Sequence, residues 1–186
     1  MNGIEVKRAV YYGLLIICLA AALLTVFLPF AYEPICFLGD ISLAPMSILA
    51  ALMPGTLTRI FQEYYYNWVQ LAYAVLLFSA GVTTTLLIRA LLRVLRSLNC
   101  KLPFSAPVHL GATPTVGICF FALLMILGIL NQSYLNESTE TAFYFPPIWP
   151  LVGLLLNLSA KGLARGLRET DKDPSDQSEI NIERGK

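Results

Sequence analysis

Four stretches of the chain run apolar with no charged residue inside them: AVYYGLLIICLAAALLTVFL (9–28), WVQLAYAVLLFSAGVTTTLLI (68–88), TVGICFFALLMILGILNQSY (115–134) and IWPLVGLLLNLSA (148–160). The first three approach the ~20 residues that a helix needs to cross a ~30 Å hydrocarbon core. The fourth stops at Lys161 and is shorter. Lys161 and Arg165 can snorkel toward headgroups, and the aromatic entry FYFPPIW suits the opposite interface. Pro150 stands where the first helical turn needs no N–H donor. The pattern therefore predicts four transmembrane helices, with the fourth over about 148–167.

Composition agrees with a membrane chain. Hydrophobic residues make up 56% and charged residues 13%, with a mean hydropathy of +0.65, which leaves too little polar surface for a water-soluble domain. Of the 13 Lys and Arg residues, only Arg59 falls outside three segments: the one before the first span, the one between the second and third, and the one after the fourth. By the positive-inside rule those segments are cytoplasmic. An even number of spans then places both termini in the cytoplasm, as a multi-pass protein of the cell membrane.

The first external loop is long and still apolar. ISLAPMSILAALM (41–53) is too short to cross and ends at Pro54-Gly55, so a short interfacial helix is expected there. TLTRIFQEYYYNW then resumes a helical pattern, and Tyr64, Tyr65, Tyr66 and Trp68 would form an outer aromatic belt. Lys7 and Arg8 precede the first span as in a secretory signal. The run is too long for one and FLPFAYEP has no small-x-small site, so an uncleaved span is expected. Residues 1–168 form the transmembrane domain, and the polar stretch ETDKDPSDQSEINIERGK (169–186) reads as a disordered cytoplasmic tail.

Charge at the ends of the spans adds a repeated device. Arg89, Arg93 and Arg96 share one helical face at i, i+4 and i+7, and Lys161, Arg165 and Arg168 repeat the spacing. Four helices with an arginine repeat bring voltage sensing to mind. That chemistry needs arginines inside the membrane with acidic partners, whereas no Asp or Glu lies inside a span and Arg89 follows the last apolar residue of the second. The stripes are expected to anchor in anionic headgroups of the cytoplasmic leaflet, at about 1 kcal/mol per basic residue.

Catalytic chemistry finds little material. His109 is the only histidine, in the loop PVHLGATPT, which excludes bis-histidine haem ligation and disfavours a histidine-rich metal site or a Ser-His pair. HExxH, Walker A and GxSxG patterns are absent. Cys18 and Cys119 fall in spans, Cys100 in the cytoplasmic link and Cys36 outside, with no CxxC. Neither catalysis, a cofactor, a metal nor a nucleic-acid partner is expected.

Asn157 is the deepest polar residue of the fourth span. Its amide is expected to join helices, with Ser79 or the Thr83-Thr84-Thr85 cluster as partner, for about 0.6 and at most ~2 kcal/mol. Contact with a transported substrate is the other reading. NQS (131), NES (136) and NLS (157) match the glycosylation pattern, and only Asn136 is comfortably external.

The second span, its basic end IRALLRVLRSLNCKLPFS, the PFS at 103–105 and the apolar third span together resemble a family of small bacterial four-helix membrane proteins of unknown function. Members are often encoded beside a helix-turn-helix regulator. The likeness covers the layout of residues 70–160, and APVHLGATPT departs from it by lacking a charged helical stretch. It implies no enzyme activity and transfers no functional residue.

The sequence thus leads to an all-α, four-helix transmembrane bundle acting as a non-enzymatic accessory or regulatory subunit of a membrane complex or signalling system. The alternative is a small transporter or channel-like protein acting as an oligomer. The expected partners are the anionic leaflet and either another membrane protein or a second copy.

Overall fold

The computed structural model describes residues 3–37, 40–54, 67–100, 110–138 and 148–171. Four long helices dominate: α1 (Gly3–Thr25), α3 (Asn67–Cys100), α4 (Thr113–Ser138) and α5 (Trp149–Asp171). Between α1 and α3 lie the strands β1 (Ala31–Phe37) and β2 (Asp40–Met46) and the one-turn helix α2 (Ile48–Ala51). Helix ends follow local chemistry. α1 closes with Phe27 and Leu28 donating to Leu24 and Thr25, and Pro29 cannot continue the helix. Gly111, at a φ of +56°, makes the turn into α4. Pro114 and Pro150 occupy the first turns of α4 and α5, where no N–H is needed.

The long helices pack in a ring, with α1 against α3 and α5, and α4 against the same two. The buried positions explain the geometry. On α3 they are Leu76, Ala80, Thr83, Leu87, Ala90, Val94 and Ser97, alternating steps of four and three. On α1 the set includes Tyr12, Leu15, Leu19, Ala22 and Thr25, followed by Val26, and on α5 it includes Asn157, Ala160, Ala164 and Leu167. An average step of 3.5 is the seam of ridges packed into grooves at a shallow left-handed crossing. Alanines and glycines on these seams let backbones approach, which matters in lipid, where apolar burial between helices gains little.

The outer surface is apolar. Val10, Leu14, Ile17 and Leu24 of α1, Leu71, Val75 and Phe78 of α3, Ile126, Ile129 and Leu130 of α4, and Leu151, Leu155 and Leu158 of α5 are all exposed. Three helices are long and apolar enough to cross a membrane, over Val6–Thr25, Ala74–Leu98 and Thr113–Ser133. This is a membrane protein by length and composition of its helices. α5 is equally long but apolar only in its first half, before Lys161.

One expectation is corrected here. Residues 41–53 do not form one helix, because Asp40–Met46 pairs antiparallel with Ala31–Phe37 and only Ile48–Ala51 is helical, capped by Ser47. The fold is helical, with a two-stranded ribbon between α1 and α2. Past the span at 68–88, α3 continues as a helix to Cys100 and carries Arg89, Arg93 and Arg96 on it. Beside Arg89, Arg93 and Arg96 the exposed surface of α3 carries Ile88, Leu92, Leu95 and Leu98. In the ribbon, Pro34 pairs with Leu43 and Pro45 with Tyr32, so the two prolines belong to the same alternate set of pairs. The expected start of the second helix near Thr56, the tail after residue 171 and His109 lie outside the described residues, as do the side chains of the aromatic belt.

Candidate functional site at the basic end of the helices

Antiparallel neighbours bring the cations together. Tyr12 Oη of α1 and Ser97 Oγ of α3 lie 2.9 Å apart in a buried hydrogen bond, which sets the amino end of α1 beside the carboxyl end of α3. Gly166 of α5 lies against the Tyr11 ring, where a β-carbon would stand 3.2 Å from Cε1. Lys161 Nζ donates to Thr115 Oγ1 at 3.4 Å, joining α5 to the first turn of α4. Lys7, Arg8, Arg89, Arg93, Arg96, Lys161, Arg165 and Arg168, every Lys and Arg among the described residues, thus gather at one end of the ring. Arg8 also stacks over the Tyr12 ring, 5.9 Å from its centroid.

The columns differ in setting. Arg89, Arg93, Arg96, Arg165 and Arg168 are exposed, whereas Lys161 is half-buried against α4. The ring order makes α3 and α5 the two neighbours of α4. The basic ends of both therefore border the amino end of α4, whose first turn carries no acid. What this arrangement can do is attract anions.

The intramembrane polar residues are placed differently from expectation. Asn157 is fully buried, but it faces Gly117 of α4, where a β-carbon would overlap its carboxamide, and not Ser79 or the threonines of α3. Its Nδ2 donates to Gly153 O of its own helix at 2.9 Å, and its Oδ1 has no hydrogen-bond partner among the described residues. Ser79 Oγ donates to Leu76 O at 2.9 Å and Thr85 Oγ1 to Gly81 O at 2.8 Å, each within α3. Thr83 is 1% exposed and its Oγ1 has no partner among the described residues, while Thr84 is half-buried. Among the described residues no hydrogen bond joins Asn157 to Ser79, Thr83 or Thr84.

Sequence reasoning missed Gly117, Gly153 and the Tyr12–Ser97 bond. Gly117 stands four residues before Phe121, as Gly153 stands four before Asn157. In the antiparallel pair each glycine receives the other helix's large residue, since a β-carbon on Gly153 would overlap the Phe121 ring. The signal was the pair of i, i+4 small–large spacings, which identifies neither partner until the register is known. A shallow groove lined by Phe78, Gly81, Val82, Thr85 and Leu86 lies on the outer face of α3, on one helix and not between helices. No three His, Cys, Asp or Glu side chains come together among the described residues.

No family model, no curated protein and no solved structure matches the chain.

Proposed function

We propose that the chain is a four-span, non-enzymatic membrane protein with both termini cytoplasmic, serving as an accessory or regulatory subunit and anchored by its basic end in the anionic leaflet. The observation that carries this reading is the gathering of eight cations from α1, α3 and α5 at one end of an otherwise apolar-surfaced ring. Cations so placed are retained on the cytoplasmic side during insertion. α5 completes the fourth crossing by packing its apolar half on α1 and α4 and letting Lys161 and Arg165 reach the headgroups. Both of its neighbours are apolar spans, so the ring supplies the helix contacts that a short span needs.

Cysteine labelling tests the topology. In a background without native thiols, single cysteines after Arg168 are shielded from an impermeant reagent in intact cells, and ones near Glu137 react. Labelling of the tail from outside overturns the four-span reading.

A second reading, an oligomeric transporter or channel, draws on two buried polar atoms without partners among the described residues, Thr83 Oγ1 and Asn157 Oδ1. Isosteric removal of the Thr83 hydroxyl separates it from the first.

A further inference from the structure

Beyond Leu87, α3 presents three different surfaces around its circumference. With about 100° between successive residues, the buried Ala90, Val94 and Ser97 occupy one sector of about 60°, and Arg89, Arg93 and Arg96 occupy another of the same width. Between them on the far side, over about 120°, lie Ile88, Leu92, Leu95 and Leu98. These four are 41%, 50%, 38% and 45% exposed. The stretch of α3 that is long and apolar enough to cross a membrane reaches Leu98.

From Arg89 to Arg96 the column rises about 10 Å, at roughly 1.5 Å per residue. That is comparable to the roughly 5–8 Å of polar layer on each side of a hydrocarbon core. The arginine column thus has the length to cross the headgroup layer, while the leucine sector beside it keeps an apolar surface at the same depth. One class of molecule matches an anion-attracting column flanked by an apolar strip: an amphiphile with an anionic head and a hydrocarbon tail.

We propose that the basic end of α3 is a binding face for anionic phospholipid, the phosphodiester held along Arg89, Arg93 and Arg96 and an acyl chain laid on Ile88, Leu92, Leu95 and Leu98. This rests on the membrane reading above and adds to it a retained lipid, in place of attraction by the leaflet's field alone. Charge complementarity selects the headgroup, and the leucine sector selects a lipid over a free phosphate. Lys161, bonded to Thr115 across the amino end of α4, adds to the positive potential there.

The test uses the full chain, reconstituted in vesicles of equal phosphatidylglycerol and phosphatidylcholine, extracted in mild detergent and analysed by native mass spectrometry. Flotation with the vesicles after an alkaline wash is measured first, because a chain that fails to float removes the membrane reading itself and the lipid site with it. For a chain that floats, the expected result is a preference of at least about fivefold for the anionic lipid among retained molecules, the equivalent of about one basic contact. Arg89→Gln, Arg93→Gln and Arg96→Gln together bring the ratio near parity, and the same three changed to Lys keep it. Leu92→Ala, Leu95→Ala and Leu98→Ala together lower the number of lipids retained by at least about threefold, with all charges in place. All these side chains are exposed, so the ring folds in each variant, as circular dichroism verifies.

Parity in the wild type overturns the proposal. So does unchanged retention in the alanine triple, which would leave only the leaflet field. Displacement of the lipid by inorganic phosphate at constant ionic strength would reveal a free-anion site instead. Loss of an acidic protein partner on Arg→Gln change, with lipid ratios at parity, would assign the face to that partner and equally reject the lipid.

Discussion

The carboxamide of Asn157 rests on Gly117, at a place where no β-carbon fits between α4 and α5. The amide donates to its own helix through Gly153 O and makes no hydrogen bond across the interface among the described residues. Its value to the interface is its shape against a bare backbone, and an amide so placed contributes less through polarity than its depth suggests.

Gly117→Ala is expected to lower stability by about 1–3 kcal/mol, because the added methyl overlaps a fully buried side chain in a packed interface. Pairing it with Asn157→Ala should recover most of the loss. Thermal unfolding in detergent gives both numbers, and simple additivity of the two changes would show that they do not meet.

Asn157→Leu should change stability by no more than about 1 kcal/mol, since one own-helix hydrogen bond is lost while an unsatisfied buried oxygen is removed. Activity should survive. Loss of partner output or transport with unchanged unfolding temperature would make Asn157 a contact residue.

Thr83→Val is close to isosteric and removes a hydroxyl that has no partner among the described residues. Stability should stay the same or rise by up to about 1 kcal/mol. A flux assay in vesicles decides between the two functional readings, because abolished flux with intact folding would place Thr83 in a polar pathway.

Tyr12→Phe removes the buried bond to Ser97 and should cost about 0.5–1.5 kcal/mol. Ser97→Ala should cost a similar amount, and the double variant little more than either. A double-mutant cycle with no coupling would reject the bond as a link between α1 and α3.

The apolar runs around Leu19, Leu77, Leu124 and Leu154 announced four helices, because long apolar stretches in lipid must satisfy their backbone internally. Their ends were harder to read. Arginine and leucine are both good helix formers, so nothing between Arg89 and Cys100 stops α3, and the charges mark no helix end there. Residues 41–53 were misread because ISLAPM carries no helical period; its neighbour Ala31–Phe37 decides its conformation, and strand pairing is a relation between segments. The same holds for Asn157, whose depth was legible while its partner depended on the register of two antiparallel helices. The gathering of Lys and Arg at one end was legible from charge placement, but the apolar sector alongside Arg89, Arg93 and Arg96 needed the burial of the opposite face to be seen.

The placement of Pro34 and Pro45 has a bearing on how the far side of the protein meets its surroundings. Proline has no N–H, so within a ladder it fits the pairs whose backbone groups turn away from the partner strand. Both prolines sit in such pairs, one on each strand. Each border of the ribbon is therefore missing a donor that an incoming strand would need. An incoming strand, from a neighbour or a second copy, would meet this gap on either border. The ribbon is thus a short β-element that offers runaway association less purchase than open edges do.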